Sequence, residues 1–289
     1  MVVQPEARAL RAVPNAPRLT AATCDSLRAI LIIDEHGERR QIHIPTERPL
    51  TVFLDGRELV TLMTLGASPE LLVLGYLRNQ RLLSDVTAIE SIDVAWATAT
   101  AAVTTRAGAG ALAAPRMVTT GCGLGTGFAD WMSRVDRSAI DAITLPVAAA
   151  ARIARGTLLA VLDTMRNYDA IHRAAGSVHS CALFHGADLW VSVEDVSRHN
   201  GVDTIAGWMA LHGVPGGDKI LFTTGRLTGE MVMKCAHNGI PILVSRNGVT
   251  AMGHTLAAKL GMALFCRAAN RRFLCCIGAE RFDSEPVAG

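Results

Sequence analysis

Residues 219–245 read KILFTTGRLTGEMVMKCAHNGIPILVS, and this stretch decides the fold class. The run Lys219–Thr223 is typical of a buried strand, and Pro241–Ser245 is a second run of the same kind. Between them, Thr228–His237 has the composition of a helix. Asn238-Gly239 follows, the residue types favoured where a helix ends. Strand, helix and strand at this spacing predict a βαβ unit with parallel strands.

The rest of the C-terminal half alternates in the same way, which predicts an α/β layered sheet. The predicted strands are His179–Phe184, Leu189–Val193, Met262–Arg267 and Phe273–Ile277, and the predicted helices are Leu145–Met165 with Thr144 as its cap, His199–Leu211 and Thr250–Leu260.

The N-terminal part has the pattern of hairpins and one helix. Leu50–Leu54 and Glu58–Thr64 flank Asp55-Gly56, a pair that favours a tight hairpin turn. Ser68-Pro69-Glu70 predicts a helix start, because serine suits the cap and proline the first helical position. Residues 97–117 are rich in alanine, threonine and glycine and predict a loop or weak strands. The predicted organisation is a flexible leader at 1–26, a small α+β subdomain at 27–117, a glycine-rich cysteine loop at 118–130 and an α/β domain at 131–289. The α+β subdomain is predicted to begin with a hairpin of Leu27–Ile33 and Gln41–Ile44.

Composition excludes several classes of protein. Half of the 289 residues are hydrophobic and 19% are charged, so the chain can bury a sizeable core. A net charge of +2 and 4% aromatic residues argue against a polybasic or base-stacking nucleic-acid binder. No apolar run reaches the ~18 residues of a membrane span, and the N-terminus lacks the apolar segment of a secretory signal. These features predict a cytoplasmic protein.

The seven cysteines also limit the chemistry. Their number is odd, their spacing is irregular and no C-x-x-C occurs, which argues against a disulfide framework and a structural zinc site. The paired motifs of a zinc deaminase are absent as well. The sequence therefore predicts no metal held by the protein and mostly buried thiols, one of which is a candidate nucleophile.

That candidate is Cys122, in the run GCGLGTG at residues 121–127. Four glycines in seven residues disfavour regular structure, so the thiol is expected on an exposed loop. Loop amides can stabilise the thiolate, which is the reactive form of cysteine. A plain glycine linker explains the same pattern, and the residues alone leave both interpretations open.

Three polar segments follow predicted strands, where ligand sites of α/β sheets are usually found. Glu194–Asn200 offers His199 and Asp195 for proton transfer, or for bracing the start of a helix. Thr223–Glu230 places Arg226 at a helix N-terminus suited to an anion, or forms an ordinary capped turn. Phe265–Arg272 has three arginines, which can grip phosphates or simply remain solvated.

The order of the motifs resembles the formate dehydrogenase accessory sulfurtransferase family, the FdhD-type sulfur carriers, from about Glu47 to the C-terminus. Residues 194–203, EDVSRHNGVD, are similar to the most specific run of that family, E-D-V-G-R-H-N-A-V-D-K. Further similar motifs are Glu47–Thr51, Ser68–Leu71 with Gly75–Leu77, Gly176–Ala182, Gly225-Arg226 with Glu230-Met231 and Lys234, and Gly239–Ser245.

The resemblance implies a fold similar to cytidine deaminases, with a three-layer α/β sheet, a small α+β N-terminal subdomain and a homodimer. It implies a protein that accepts sulfane sulfur from a cysteine desulfurase as a persulfide on Cys122. The sulfur then passes to the molybdenum cofactor, a bis(molybdopterin guanine dinucleotide), on its way to formate dehydrogenase. The cofactor-contacting residues implied by the resemblance are Phe265, Cys266, Arg267, Ala268, Ala269 and Asn270.

The loop departs from the family pattern at one position. Gly125 stands where the family has its second cysteine. A lone thiol can still hold a persulfide, because it has no neighbour with which to form an internal disulfide. The alternatives that stay open are a chaperone that binds the guanine dinucleotide without moving sulfur, a hydrolase with a deaminase-like fold, and a paralogue with another acceptor.

Overall fold

The structure, a computed structural model, describes residue 10 and residues 13–83, 85–107, 118–120, 151–168 and 170–284. The described residues form two six-stranded sheets, a two-stranded hairpin and one further pair of short strands. Cys122, the rest of the predicted loop beyond residue 120 and the beginning of the predicted helix 145–165 lie outside the described residues.

Among its described residues, the N-terminal half contains eight strands and helix α1. Helix α1 spans Pro69–Asn79, and the strands are β1 (Arg18–Leu19), β2 (Leu27–Ile33), β3 (Arg39–Pro45), β4 (Arg48–Leu54), β5 (Arg57–Thr64), β6 (Ile89–Ala95), β7 (Thr100–Thr105) and β8 (Val118–Thr120). Six of them form one sheet in the order β1-β6-β7-β4-β5-β8, while β2 and β3 pair with each other.

The predicted hairpin at Asp55-Gly56 is confirmed. Asp55 has a φ of 46° and Gly56 a φ of 80°, so both central residues are left-handed, as a tight two-residue hairpin turn requires. Asp55 also binds β7, because its carboxylate accepts bonds of 2.8 Å from the Thr105 backbone N–H and from the Thr105 hydroxyl. Strand β7 belongs to residues 97–117, for which the sequence predicted a loop or weak strands. In the sheet it lies between β4 and β6.

Within the predicted leader at 1–26, Arg18 and Leu19 form a short strand that the sequence did not predict. Arg18–Leu19 pairs in parallel with β6. The buried carboxylate of Glu70 then accepts hydrogen bonds from the Thr20 hydroxyl at 2.7 Å and the Ala22 backbone N–H at 2.6 Å. A buried carboxylate needs such donors, so the segment is fixed by a residue about fifty positions away.

The C-terminal half contains eight strands and five helices among its described residues. The strands are β9 (Ile153–Ala154), β10 (His179–His185), β11 (Asp188–Asp195), β12 (Lys219–Thr223), β13 (Ile242–Ser245), β14 (Ala263–Ala269), β15 (Arg272–Ile277) and β16 (Phe282–Asp283), and the helices are α2 (Arg155–Tyr168), α3 (Ala170–Ala175), α4 (Arg198–Leu211), α5 (Gly229–His237) and α6 (Ala251–Lys259).

The central sheet has the order β11-β10-β12-β13-β14-β15, with β12, β13 and β14 parallel. Alternate residues of its strands face opposite sides. Leu221 and Leu243 pack in a core with α4, α5 and α6, whereas Phe222 and Val244 pack in a core with α2. Helices therefore cover both faces, as the three-layer prediction requires. The likeness to the cytidine deaminase fold stays a prediction.

Helix α2 begins later than the sequence predicted. It starts at Arg155, and Ile153–Ala154 instead pairs with β16. The Arg152 guanidinium donates to the Asp283 carboxylate at 2.9 Å and to the Glu280 carbonyl at 2.8 Å. These bonds tie residues 152–154 to the C-terminal end of the described chain and keep them extended.

Helices α1 and α4 join the two halves at a close crossing. A Cβ atom on Gly75 would lie 1.6 Å from the Asp203 carbonyl oxygen, and one on Gly207 would lie 2.0 Å from the Leu71 carbonyl oxygen. Neither position has room for a side chain. The two glycines therefore set how closely the halves pack.

Candidate functional site

The polar segments predicted from the sequence meet at one edge of the central sheet. Strands β11, β12, β13 and β14 all run towards this edge and β10 begins there, as the pairing of the sheet requires. Carboxyl ends of parallel strands are the usual place for ligand sites in α/β proteins. We call this region the carboxyl edge, and it brings together Glu194–Asn200, Thr223–Glu230 and Phe265–Arg272.

Gly225 allows two of these segments to touch. A Cβ atom at Gly225 would lie 2.6 Å from Cδ of Arg198, so only glycine leaves room for that side chain. The Gly225 backbone is itself held in place, because its N–H donates to the Thr223 hydroxyl at 3.0 Å and its carbonyl accepts from the Ser245 hydroxyl at 2.6 Å. The aliphatic part of the Arg198 side chain thereby packs against the backbone directly after β12.

The two acids of β11 have structural partners. Asp195 is buried and accepts from the Thr64 hydroxyl at 2.6 Å and the Asn200 amide at 2.8 Å, which ties the carboxyl edge to strand β5. Glu194 accepts from the backbone N–H groups of Ile171 and His172 at 3.0 and 2.8 Å. Of the two roles left open for Asp195, the contacts support bracing.

Two histidines lie at this edge, because His179 begins strand β10 and His199 is the second residue of helix α4. Burial lowers the pKa of His199 to about 3, and the positive charge of Lys234 acts in the same direction. Burial also lowers the pKa of His179, helped by the charges of Arg198 and of the exposed Arg226. Both rings are therefore neutral near pH 7 and can accept or donate hydrogen bonds without adding charge.

A chain of buried charges runs behind His199. The Lys234 ammonium lies 2.8 Å from an Asp203 carboxylate oxygen and 3.3 Å from Oε1 of Glu230, and that oxygen lies 3.4 Å from Nδ1 of His199. Burial alone would lower the pKa of Lys234, but the charges of Asp203 and Glu230 outweigh it and raise the pKa. Asp203 also accepts from the Asn79 amide at 2.7 Å, so the chain of charges reaches helix α1.

Replacing Lys234 by methionine is expected to destabilise the protein by about 3–5 kcal/mol, because Asp203 would keep a buried charge without its partner. Urea denaturation of the purified variant measures this loss. Lys259 lies exposed at the end of α6, so Lys259→Met makes the same change without burial and is expected to stay within about 0.5 kcal/mol of the parent. Equal stabilities for the two variants would contradict the structural role of the buried charges.

The six residues predicted to contact a cofactor divide into two groups. Phe265, Cys266 and Ala268 are buried in the cores on either face of the sheet. Arg267 and Asn270 are exposed and Ala269 is half-buried. Arg267 and Asn270 have φ values of 50° and 49°, so the backbone turns sharply here and points alternate residues outward.

Ala269 and Asn270 line a cleft on the α2 side of the sheet. The cleft is shallow, with an enclosed volume of about 30 Å³. Arg166, Arg246 and Arg271 also line it, together with Asp163, whose carboxylate lies 2.5 Å from Arg271 and 3.4 Å from Arg166. Sequence reasoning missed Arg166 and Arg246. The signal for Arg246 was its position directly after strand β13, the usual place for ligand-contacting residues.

Five of the six described cysteines have environments that suppress the thiolate. Burial raises the pKa of Cys181 to about 12 and also raises the pKa of Cys24, Cys235, Cys266 and Cys275. A thiol that stays protonated is a poor nucleophile. All six described cysteines are free of disulfides.

Two features are absent from the described residues. They show no group of three or more histidine, cysteine or acidic side chains arranged to hold a metal ion. Within the same ranges, no helix is both long and apolar enough to cross a membrane.

The fold and the carboxyl edge define a two-sheet α/β protein with an arginine-lined cleft beside the ends of its parallel strands. The chain belongs to the FdhD/NarQ family, whose model matches residues 45–283. It is similar to the sulfur carrier protein FdhD of Bacillus licheniformis, with 28% identity over 83% of this chain and 90% of that protein. The FdhD sulfur carrier protein of Halalkalibacterium halodurans is 25% identical over 81% of this chain and 86% of its own length.

One solved structure shares the fold. It is the crystal structure of a protein from Desulfotalea psychrophila that is described as a formate dehydrogenase accessory protein. The two structures superpose with a TM-score of 0.70 over 89% of this chain and 98% of the other, at 23% sequence identity. At that identity the likeness shows the architecture.

Proposed function

We propose that this chain is a sulfur carrier that takes sulfane sulfur from a cysteine desulfurase as a persulfide on Cys122. It delivers the sulfur to the molybdenum cofactor, a bis(molybdopterin guanine dinucleotide), for the activation of formate dehydrogenase. Membership of the FdhD/NarQ family, with relatives named sulfur carriers, is the observation that carries the proposal. A carrier thiol has to be kept reduced between cycles, which favours the cytoplasm.

Five of the six described cysteines are poor candidates for the carrier thiol, which supports Cys122. Cys181 and Cys235 are fully buried in the core of the central sheet, and burial raises the pKa of each. Cys24 and Cys275 are more accessible, but burial raises their pKa as well. A cysteine between two glycines, such as Cys122, has the smallest possible neighbours and can approach another protein's sulfur.

The loading step is a thiol exchange that balances without an external oxidant. The Cys122 thiolate attacks the outer sulfur of the desulfurase persulfide, forming a new S–S bond as the old one breaks. The desulfurase cysteine leaves as a thiolate, and the carrier holds the persulfide. Release of the sulfane sulfur as sulfide needs two electrons, which two equivalents of a low-molecular-weight thiol supply. The first thiol attacks the Cys122 sulfur and sulfide leaves to the acceptor, and the second thiol cleaves the resulting mixed disulfide, which returns Cys122 to a thiol and releases the small disulfide.

The cleft at the carboxyl edge suits the acceptor, which is the substrate of the transfer. Guanidinium groups bind phosphates through paired hydrogen bonds, and Arg166, Arg246 and Arg271 line this cleft. Ala269 and Asn270 line it as well, as expected of residues that contact the cofactor. These side chains would hold the diphosphate groups, while Phe265 and Ala268 support the turn from within the core.

Peptide mass spectrometry of the loaded chain tests the proposal directly. The purified protein is incubated with cysteine and a cysteine desulfurase, and the peptide containing Cys122 is examined for added sulfur. We expect a gain of one sulfur atom on that peptide, which alkylation traps and a reducing agent removes. Full loading at another cysteine, or none at all, would refute the proposal.

The same measurement separates the carrier from a chaperone that binds the guanine dinucleotide without moving sulfur. Gly125, in place of a second loop cysteine, is the observation that favours the chaperone. The chaperone binds the dinucleotide and gains no sulfur, whereas the carrier gains sulfur whether or not the dinucleotide is present.

A further inference from the structure

A carboxylate lies between two arginines at the mouth of the cleft. Oδ2 of Asp163, on helix α2, accepts a hydrogen bond from Nη1 of Arg271 at 2.5 Å. Oδ1 of the same carboxylate lies 3.4 Å from Nη2 of Arg166, one turn further along the helix. Each carboxylate oxygen therefore faces a different guanidinium group. A phosphate group would use the same two guanidinium groups, because its oxygens accept hydrogen bonds in the same way.

The cleft is nearly closed while Asp163 holds this position. Its enclosed volume of about 30 Å³ is roughly the space of one or two water molecules, which is too small for a diphosphate. The side chains at its mouth are accessible, however, because 33% of Asp163, 61% of Arg166 and 59% of Arg271 are exposed. Ion pairs between such accessible groups are weak. A more highly charged anion can therefore displace the carboxylate and open the cleft.

Arg271 has a backbone conformation that its residue type disfavours. It is the second of the two residues that turn the chain between the paired Ala269 and Arg272, and its φ is 62°. Asn270, the first of the two, has a φ of 49°. Turns with two successive left-handed residues favour asparagine at the first position and glycine at the second, so Arg271 stands where glycine is expected. Such exceptions are concentrated at functional sites, and the contact with Asp163 gives this side chain a function.

We propose that Asp163 is an internal competitor for the diphosphate of the acceptor, occupying the place of a phosphate group between Arg166 and Arg271. When the ligand binds, one of its phosphate groups replaces the carboxylate, and the other binds Arg246 in the same cleft. Asp163 thereby sets a threshold, since an anion is admitted only if it binds the two guanidinium groups more strongly than the carboxylate does. This inference rests on the proposed function, because it takes the acceptor's diphosphate as the ligand of the cleft.

Calorimetric titration of the full chain with guanosine diphosphate and with inorganic pyrophosphate tests the competition. Asp163→Asn keeps the shape of the side chain and removes its charge. The ligand then has no strong ion pairs to break, so we expect both ligands to bind about five- to tenfold more tightly than they bind the parent protein. Damage to the fold would weaken binding, so tighter binding cannot arise from it.

Asp188→Asn is the matched control for this variant. Asp188 is exposed and begins strand β11, at the opposite edge of the central sheet from the cleft. Its substitution changes the net charge of the protein by the same amount as Asp163→Asn. Because charges farther apart than the screening length interact little, we expect its affinities to stay within about twofold of the parent.

Arg271→Gly separates binding from stability. Glycine adopts the left-handed conformation without strain, so the melting temperature is expected to stay the same or to rise. The affinity for both ligands is expected to fall at least about tenfold, because a charged hydrogen-bond donor to the phosphate is lost. Arg272→Ala is the matched control, since Arg272 is the exposed neighbour and is outside the described lining of the cleft. It is expected to bind both ligands like the parent.

Several results would overturn the role of Asp163. If Asp163→Asn binds both ligands no more tightly than the parent, the carboxylate does not compete with them. If it binds guanosine diphosphate more weakly and pyrophosphate equally well, Asp163 contacts the base instead. If neither ligand binds the parent or Asp163→Asn, the cleft is not a diphosphate site. Sulfur loading of Cys122 is measured separately, so failure of the sulfur carrier is distinguished from failure of the competition.

Discussion

A Cys122→Ala variant is expected to acquire no sulfane sulfur from a cysteine desulfurase and to leave formate dehydrogenase inactive in cells that lack the parent protein. The reason is chemical, since alanine cannot attack a persulfide and five of the six described thiols have a raised pKa, which makes them poor replacements. Burial raises the pKa of Cys181 to about 12, and even the exposed Cys275 has a raised pKa. The amount of sulfur loaded onto the variant should therefore be no higher than the background of the mass-spectrometric assay.

The matched control for this variant is Cys275→Ala, which removes an exposed thiol at the edge of the central sheet. It is expected to load sulfur like the parent protein. Circular dichroism and the melting temperature show whether either variant has lost its fold. Undiminished loading of Cys122→Ala would exclude Cys122 as the carrier, and loss of loading in Cys275→Ala would point to a relay through the second thiol.

A Gly75→Ala variant is expected to lose about 3 kcal/mol or more of its free energy of unfolding. Its new Cβ atom would overlap the Asp203 carbonyl oxygen at 1.6 Å and the Gly207 backbone nitrogen at 2.7 Å. Backbone atoms cannot rotate away as a side chain can, so helices α1 and α4 would have to separate. Separation would also strain the contact between Asn79 and Asp203.

Gly156→Ala is the matched control because Gly156 lies in helix α2 and a Cβ atom there has nothing within 4 Å. Alanine favours a helix over glycine by about 0.5–1 kcal/mol, so this variant should be slightly more stable than the parent. Denaturant unfolding measures both free energies. Equal effects of the two substitutions would show that the helix crossing tolerates a wider separation than the structure indicates.

Local signals in the sequence were sufficient for much of the fold. Asp55-Gly56 predicted its hairpin because few residue pairs adopt two successive left-handed conformations. The apolar runs from Lys219 and Pro241 predicted two parallel strands, because strands buried on both faces have few polar residues. Such signals depend on neighbours within a few residues, which the sequence displays directly.

Long-range contacts decided what the local sequence left open or missed. The sequence allowed a loop or weak strands at 97–117, and strand β7 (TAAVTT) forms there because Asp55 fixes its end from about fifty residues away. The start of helix α2 depends on Arg152 and Asp283, which are 131 positions apart. Contacts of this kind depend on how the whole chain packs, and no local pattern contains them.

The candidate site shows the same division. The sequence by itself determined which residue types are present: a thiol between glycines at 122, the polar segment at 194–200 and the arginines at 267, 271 and 272. Only the tertiary structure decided that Phe265 and Ala268 face the core while Asn270 lines a cleft with Arg246. It also decided that Asp195 binds Thr64 across the two halves. Side-chain chemistry is a property of each residue alone, whereas burial and proximity arise when distant segments pack together.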